Sequence, residues 1–440
     1  MFTIYIHIPY CIVKCGYCDF HSLPTKRDEI PHHAYTQAVI KQLHSLVPLY
    51  SLQGRKVDAV FFGGGTPSLM DSSFFENVLN ELHKIFSFSA DIEITSEMNP
   101  MGGAVQSVRA DETSQRTSAI DWLKSVQKAG VNRLSIGIQS FNPKYLTFLD
   151  RDHTADDVQH VLIDAREAGF QNLSCDLIYS IPGQTTKEVE DDIRRALSFE
   201  PDHISAYQLT FEPGTLLEKR YRDLSSLRRQ GSHDSQEIPA SAGMTKMFPP
   251  KLDDETSLEQ FRLVHQLLDK AGLHRYEISN FARPSFESRH NLNYWRYGEY
   301  LGLGSGAVSF LSSPCAAVQT FVSTDQLDRA HKGQADRRIA ERFTTTRNVH
   351  RYLEGDFEPK DVDVIDHKTA MAEFCFLGLR TREGISLSEF EKRFGVSLES
   401  VYPGLTKKLE QQKLLLRHEN SFTLTFLGIE LSNEVFRHFL

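Results

Sequence analysis

Three cysteines fall within eight residues near the start of the chain: Cys11, Cys15 and Cys18, spaced C-x3-C-x2-C. Thiolates this close on one loop can converge on an iron–sulfur cube. Three ligands for four irons leave one iron open to a cosubstrate. The competing chemistry is zinc held by three Cys and one His, with His7 or His21 as the fourth ligand. A second signal, Phe61-Phe62-Gly63-Gly64-Gly65-Thr66-Pro67-Ser68, closes the next apolar run. Consecutive glycines let backbone groups approach a ligand closely. Together with the cysteine loop, this turn favours a cluster with a bound cosubstrate. Glu97, Gln139 and Asp176 lie at the ends of further apolar runs. One such residue alone reads as a local hydrogen-bonding group; three at successive strand ends read as a ligand site.

Chemistry at these positions needs a scaffold that gathers strand ends. Phe2, Ile4, Ile6 and Ile8 alternate with Tyr5 and His7 on a first strand. Apolar runs follow at Val57–Phe62, Ile92–Ser96, Arg133–Gln139, Leu173–Tyr179 and His203–Thr210. Helical patterns intervene at Ala34–Val47, Ser73–Phe86, Ile120–Ala129, Ala155–Ala168 and Thr186–Phe199. This repetition predicts an α/β fold with a parallel sheet, whose chemistry sits at the carboxyl ends of its strands. Segments 101–118 and 225–250 are polar and aperiodic and read as disordered surface insertions. A helix is predicted over Ser257–Ala271, then a Gly- and aromatic-rich stretch from Tyr276 to Phe310. The last part reads as helices over Val362–Arg380, Leu387–Phe394 and Ser397–Gln412, a hairpin over Leu414–Thr425 and a helix over Leu427–Phe439. That is a small α+β domain of winged-helix type.

The 440 residues carry 49 basic and 58 acidic side chains, a net charge of −9. That balance, with basic and acidic residues interleaved in the C-terminal domain, argues against nucleic-acid binding. No apolar run approaches the roughly 18 residues of a membrane span. The apolar start, Met1–Pro9, lacks a basic leader and a cleavage site and reads as a strand. Clustered thiols without a disulfide framework point to a reducing, cytoplasmic compartment. His32, His33, His153, His265 and His331 have polar neighbours and are expected at the surface; Cys175 is expected in the core.

The cysteine loop and glycine turn resemble those of the radical S-adenosylmethionine (SAM) superfamily. The resemblance extends over nearly the whole chain and implies a partial (β/α)6 barrel. It further implies a [4Fe-4S] cluster whose open iron binds SAM, the reduced cluster being able to split SAM to a 5′-deoxyadenosyl radical. Tyr5-Ile-His-Ile-Pro9, Glu97-Met-Asn-Pro100, Val131 to Phe141 and Asp176 to Gly183 are similar to the oxygen-independent coproporphyrinogen III oxidase group. By that resemblance Tyr5, Gly64 and Glu97 contact the cluster-bound SAM. Tyr17, Gly65, Thr66, Gln139, Arg151 and Asp176 fall on other positions that meet SAM. The implied division is a barrel over 1–250, a helical and Gly/aromatic-rich linker region over 251–360 and the winged-helix-like domain over 361–440.

Two departures from the oxidase stand out. Its usual fourth cysteine is replaced by Phe20, and the first strand starts at Phe2 with no covering extension before it. Both features resemble a haem-chaperone branch of the group. His290-Asn-Leu-Asn-Tyr294-Trp295 is similar to that branch's H-N-x-x-Y-W motif, which implies haem contacts from His290, Tyr294 and Trp295. Histidine and tyrosine are known axial haem ligands, and Trp295 offers a flat apolar face. Read from the residues alone, the same motif is a packed polar–aromatic cluster capping the barrel. The resemblance implies a haem carrier that serves acceptor apoproteins and forms a possible homodimer. The alternative is the oxidase reaction, oxidative decarboxylation of porphyrinogen propionates.

Overall fold

A computed structural model describes residues 1–100, 112–222, 249–312 and 340–440, with backbone alone for 112–118. The apolar runs form strands β1 (Phe2–Ile8), β2 (Lys56–Gly64), β3 (Ser87–Met98), β4 (Arg133–Gln139), β5 (Asn172–Tyr179) and β6 (His203–Gln208). They pair in parallel in that order. Helices α1 (His32–Leu49), α2 (Ser72–Ile85), α3 (Glu112–Ala129), α4 (Pro143–Phe148), α5 (Ala155–Glu167) and α6 (Thr186–Leu197) fill the crossovers. Strands buried on both faces carry near-continuous apolar sequence because helices cover one side and the barrel interior the other. Reciprocal capping boxes start two helices, Thr154 with Asp157 at α5 and Thr185 with Glu188 at α6.

Residues 251–360 join the same sheet. After α7 (Asp254–Lys270), β7 (His274–Arg275) and β8 (Asn280–Ala282) extend the β6 edge. Helix α8 (Arg289–Trp295) follows. Then β9 (Glu299–Leu303), β10 (Val308–Ser312), β11 (Ala340–Thr344) and β12 (Lys360–Ile365) extend the β1 edge, giving a sheet of twelve strands among the described residues. Strand β9 pairs with β1 in parallel. The stretch read as a linker region therefore flanks the barrel on both sides.

The expected helix over Val362–Arg380 divides into β12 and α9 (His367–Arg380). Asp366 ends the strand and caps the helix, accepting from the Thr369 N–H at 2.7 Å. The expected helix Ser397–Gln412 divides into Leu398–Val401 and Leu405–Gln411, split by Pro403 and by Gly404 at φ +71°. The last helix also divides, at Leu431, into Phe426–Glu430 and Ser432–Phe436. Ile385–Ser386, Leu415–Arg417 and Ser421–Leu424 form the three-stranded wing sheet over its own apolar core. Helix α3 begins at Glu112, so the end of the segment expected as an insertion, 101–118, is helical. Residues 101–111, most of 225–250, and His331 lie outside the described residues. His153 and His265 are buried, not at the surface. His153 bonds the Ile138 carbonyl at 3.1 Å, and His265 packs between Phe261 and Phe281. Cys175 is in the core as expected.

One buried side chain ties the flanking strands to the barrel. The Gln42 carbonyl on α1 accepts from the Gly304 N–H (2.8 Å) and the Tyr352 hydroxyl (2.7 Å), while its amide donates to the Thr345 hydroxyl (2.9 Å). Gln42→Ala strands three buried partners and should cost about 3 kcal/mol or more. Denaturant unfolding measures this, and an unchanged midpoint would contradict it.

Candidate functional site

The cysteine loop leaves the carboxyl end of β1 and is held against the turn that ends β2. The Gly65 N–H donates to the Ile8 carbonyl (2.7 Å) and the Thr66 N–H to the Tyr10 carbonyl (2.8 Å). No side chain fits at Gly65: an added Cβ would lie 2.6 Å from the Tyr10 carbonyl oxygen and 3.0 Å from Cys11 Sγ. Gly64, at φ +111°, lies against the His7 ring, where a Cβ would come to 2.5 Å. Its N–H donates to Glu97 Oε2 at 3.0 Å, which joins β3 to the same turn. The glycines are therefore required twice, by backbone conformation and by close approach.

The thiols have polar neighbours. The Thr66 hydroxyl donates to Cys11 Sγ at 3.4 Å, and Arg151 Nη1 approaches Cys15 Sγ at 3.5 Å. Burial pushes the Cys11 thiol up to about 11 and raises that of Cys18. Buried thiols of this kind ionise when a metal takes up the charge. Arg151 also donates to the Gly137 carbonyl (3.0 Å) and to Asn99, and its Nε is buried without a partner. Tyr17 lies beside Arg151. His7, one of two candidate zinc ligands, is committed on both ring nitrogens, to the Tyr5 hydroxyl (3.0 Å) and the His21 carbonyl (2.8 Å). The donor set of three thiols, a cationic neighbour and a side-chain-free turn fits a cluster with a small zwitterion beside it.

Below this rim the barrel interior is polar. Asp176 accepts from the Ser135 hydroxyl (2.9 Å) and the Ser174 hydroxyl (3.1 Å). Burial raises its carboxyl. Burial, with the nearby charge of Asp176 second, pushes Glu97 up to about 8. Gln139 ends β4 in the left-handed region at φ +59°. All three line one cavity of about 1720 Å³, together with the cysteines, Tyr17, Gly64, Gly65, Thr66 and Arg151. Asn99, Arg133 and Ser135 line it too and were not singled out from sequence. Arg133 is 1% exposed. The available signal for it was a cation in a strand buried on both faces.

The H-N-x-x-Y-W motif lies on α8, which packs against β1 and β2. His290 is 2% exposed and stacks on Phe61 (centroids 4.7 Å) and on Tyr5 (5.9 Å), with Tyr294 edge-on (4.7 Å). Burial pushes its imidazole down to about 3, so the ring is neutral. Nδ1 is buried without a partner, as are Asn293 Oδ1 and Trp295 Nε1. Asn293 donates to the Thr3 hydroxyl (3.1 Å) and the Glu299 carbonyl (2.9 Å). Arg380 lies over the Trp295 ring at 4.3 Å. The motif thus packs as the polar–aromatic cap that the residues alone allow, while its Asn291 lines the same cavity as the SAM positions and His290 stacks on Phe61, which lines it too.

A parallel barrel with three cysteines on its first loop and a glycine turn on its second strand defines a radical SAM protein. Residues 5–196 match the radical SAM superfamily and residues 365–431 the HemN C-terminal domain. The structure superposes on coproporphyrinogen III oxidase (HemN) from Escherichia coli with a TM-score of 0.70, at 19% identity over 100% of this chain and 89% of that one. Curated relatives named heme chaperone HemW are 33% identical in Haemophilus influenzae (100% of this chain, 97% of the relative) and 30% identical in Bacillus subtilis (100% and 99%). The chain belongs to the HemW family of the radical SAM superfamily. No helix among the described residues is long and apolar enough to cross a membrane.

Glu97 gives a test of the site's electrostatics. Its folded pKa lies above the unfolded value, so between about pH 4.5 and 8 the folded state holds a proton that the unfolded state releases. Its contribution to stability therefore falls as pH rises through that window. The Tm of the protein without cofactors should drop from pH 6 to 9, and drop less in Glu97→Gln. Equal slopes in both proteins would contradict the assignment.

Proposed function

We propose that this chain is a haem chaperone: it binds haem and passes it to acceptor apoproteins in the cytoplasm. In this reading Cys11, Cys15 and Cys18 hold a [4Fe-4S] cluster. Tyr5, Tyr17, Gly64, Gly65, Thr66, Glu97, Gln139, Arg151 and Asp176 receive SAM. Bound SAM and cluster supply one-electron chemistry or, in a carrier, a ligand-dependent control of shape. An ammonium group against Glu97 favours its ionised form, and the Gly64 N–H already holds that carboxylate in place. The carrying observation is kinship over the full length with relatives named heme chaperone HemW. Phe20 supports it, being 65% exposed where the oxidase group usually has a cysteine. Likeness to HemN at 19% identity speaks for the fold, which oxidase and chaperone would share.

The assay is anaerobic cluster reconstitution with SAM, then titration with haem and a parallel incubation with coproporphyrinogen III. Stoichiometric haem binding without decarboxylated product is expected. Efficient decarboxylation without haem binding would overturn the proposal in favour of the oxidase. A homodimer belongs to the same reading, and sedimentation with and without SAM tests it.

A further inference from the structure

A chain of buried hydrogen bonds runs behind the barrel wall and ends on Asp176. Ser174 and Asp176 sit two apart on β5 and so point to the same side of the sheet. The parallel register sets Ser174 beside His203 and Asp176 beside Ser205 on β6, and Ser135 of β4 beside Ser174. His203 is fully buried, and both its ring nitrogens are engaged. Nδ1 lies 2.8 Å from Ser174 Oγ, and Nε2 lies 2.8 Å from the Tyr276 hydroxyl. The Tyr276 oxygen in turn accepts from the Ser288 N–H at 3.3 Å. Ser288 caps α8, its own hydroxyl accepting from the Asn291 N–H. Asp176 and Ser135 line the cavity, with Ser174, His203 and Tyr276 behind them.

Donor counting gives this chain a direction. An ionised carboxylate only accepts, and a hydroxyl has one proton to give. Asp176 takes that proton from Ser174 at 3.1 Å. Ser174 Oγ must then accept from His203, which places the imidazole proton on Nδ1. Burial, with the Arg133 charge second, holds the His203 imidazole well below its usual range, so the ring is neutral and carries one proton. Nε2 is therefore an acceptor and receives the Tyr276 O–H. Each member donates toward Asp176: Ser288 N–H, Tyr276 O–H, His203 Nδ1–H and Ser174 O–H. Burial raises the Asp176 carboxyl, and the hydroxyls of Ser205, Ser135 and Ser174, with the charge of Arg133, oppose that rise. Without the Tyr276 proton the imidazole is free to adopt its other tautomer. Nδ1 would then draw the Ser174 proton to itself and away from Asp176.

We propose that His203 and Tyr276 are positioning residues for SAM: acting through Ser174, they hold the Asp176 carboxylate as a hydrogen-bond acceptor for a hydroxyl or amino group of the bound molecule. This inference rests on the reading of Asp176 as a SAM position and adds the residues that prepare it. It also joins two parts of the chain that are far apart in sequence. The line of bonds starts at the residue that caps α8, so the helix bearing the H-N-x-x-Y-W motif and the carboxylate in the cavity belong to one network.

The test uses the full chain with its cluster reconstituted anaerobically and reads SAM affinity by equilibrium dialysis. Tyr276→Phe keeps the ring and removes one proton donor. It should weaken SAM binding about tenfold, as the loss of one charge-assisted bond implies. His203→Leu should weaken it at least as much, and His203→Asn, which keeps a donor near the Nδ1 position, should recover part of the loss. Nitrogen-15 NMR of histidine-labelled protein gives a signature that altered packing would not mimic. The His203 signal, identified by its absence in His203→Asn, should report Nδ1–H in wild type and Nε2–H in Tyr276→Phe. If His203→Leu does not fold, Tyr276→Phe and the tautomer decide alone. Wild-type affinity in Tyr276→Phe, or an Nε2–H ring in the wild-type protein, would overturn the inference while leaving SAM binding intact. Unchanged affinity in Asp176→Ala would overturn the SAM assignment of Asp176, and the inference with it. A cluster-bearing wild-type chain that binds no SAM would overturn the reading of the whole site.

Discussion

The site depends on one close contact between backbones. The loop after β1 and the turn after β2 are joined by the bonds from Gly65 to Ile8 and from Thr66 to Tyr10, across a gap that no side chain could occupy. Parallel pairing in register, Ile8 opposite Gly64, brings the two chain segments to the same height. Only then do three cysteines from one loop face Glu97 from β3 and Arg151 from beyond β4. The large apolar core of the barrel holds those strand ends still. The surrounding polar groups then keep their positions through short bonds to one another and to backbone.

The motif on α8 carries a different lesson. Its histidine, asparagine and tryptophan have the chemistry of ligands, and their rings and the Asn293 amide nitrogen are engaged in assembly, while His290 Nδ1, Asn293 Oδ1 and Trp295 Nε1 are buried without a partner. Asn293 joins β1 to β9, and Gly298 must lack a side chain because Asn293 occupies the space. Trp295 lies under Arg380, whose guanidinium pairs with the fully buried Glu277 at 3.3 Å. Barrel floor and C-terminal domain therefore share one junction. A buried carboxylate needs such a partner, because an unpaired one would be too costly to desolvate. Side-chain chemistry reports what a residue could do, and packing decides which of those roles its surroundings leave open.

Much of the barrel was legible in the sequence. Apolar runs that end in glycine, polar or cysteine-bearing loops marked the six strands β1 to β6, and the positions of the cysteines, Gly64, Gly65 and Thr66 followed from the chemistry those residues share. Less legible were features set by long-range pairing. Strand β12 reads locally as the start of a helix, and only its partner β11 makes Lys360–Ile365 extended. Likewise β9 is distant in sequence from β1, so region 251–360 read as a linker. His153 and His265 have polar sequence neighbours but are buried by aromatic and carbonyl partners from other elements. Arg133 hid inside an apolar run because periodicity records hydrophobicity and not what the interior of a barrel tolerates.

The central claim is that this chain hands haem onward. The most direct measurement is transfer itself: haem-loaded, cluster-reconstituted protein mixed anaerobically with an apo-haemoprotein, followed by the acceptor's own Soret spectrum. The account predicts that the acceptor fills faster from the loaded chain than haem leaves that chain for a passive scavenger. Equal rates to acceptor and scavenger, or no transfer at all, would contradict it.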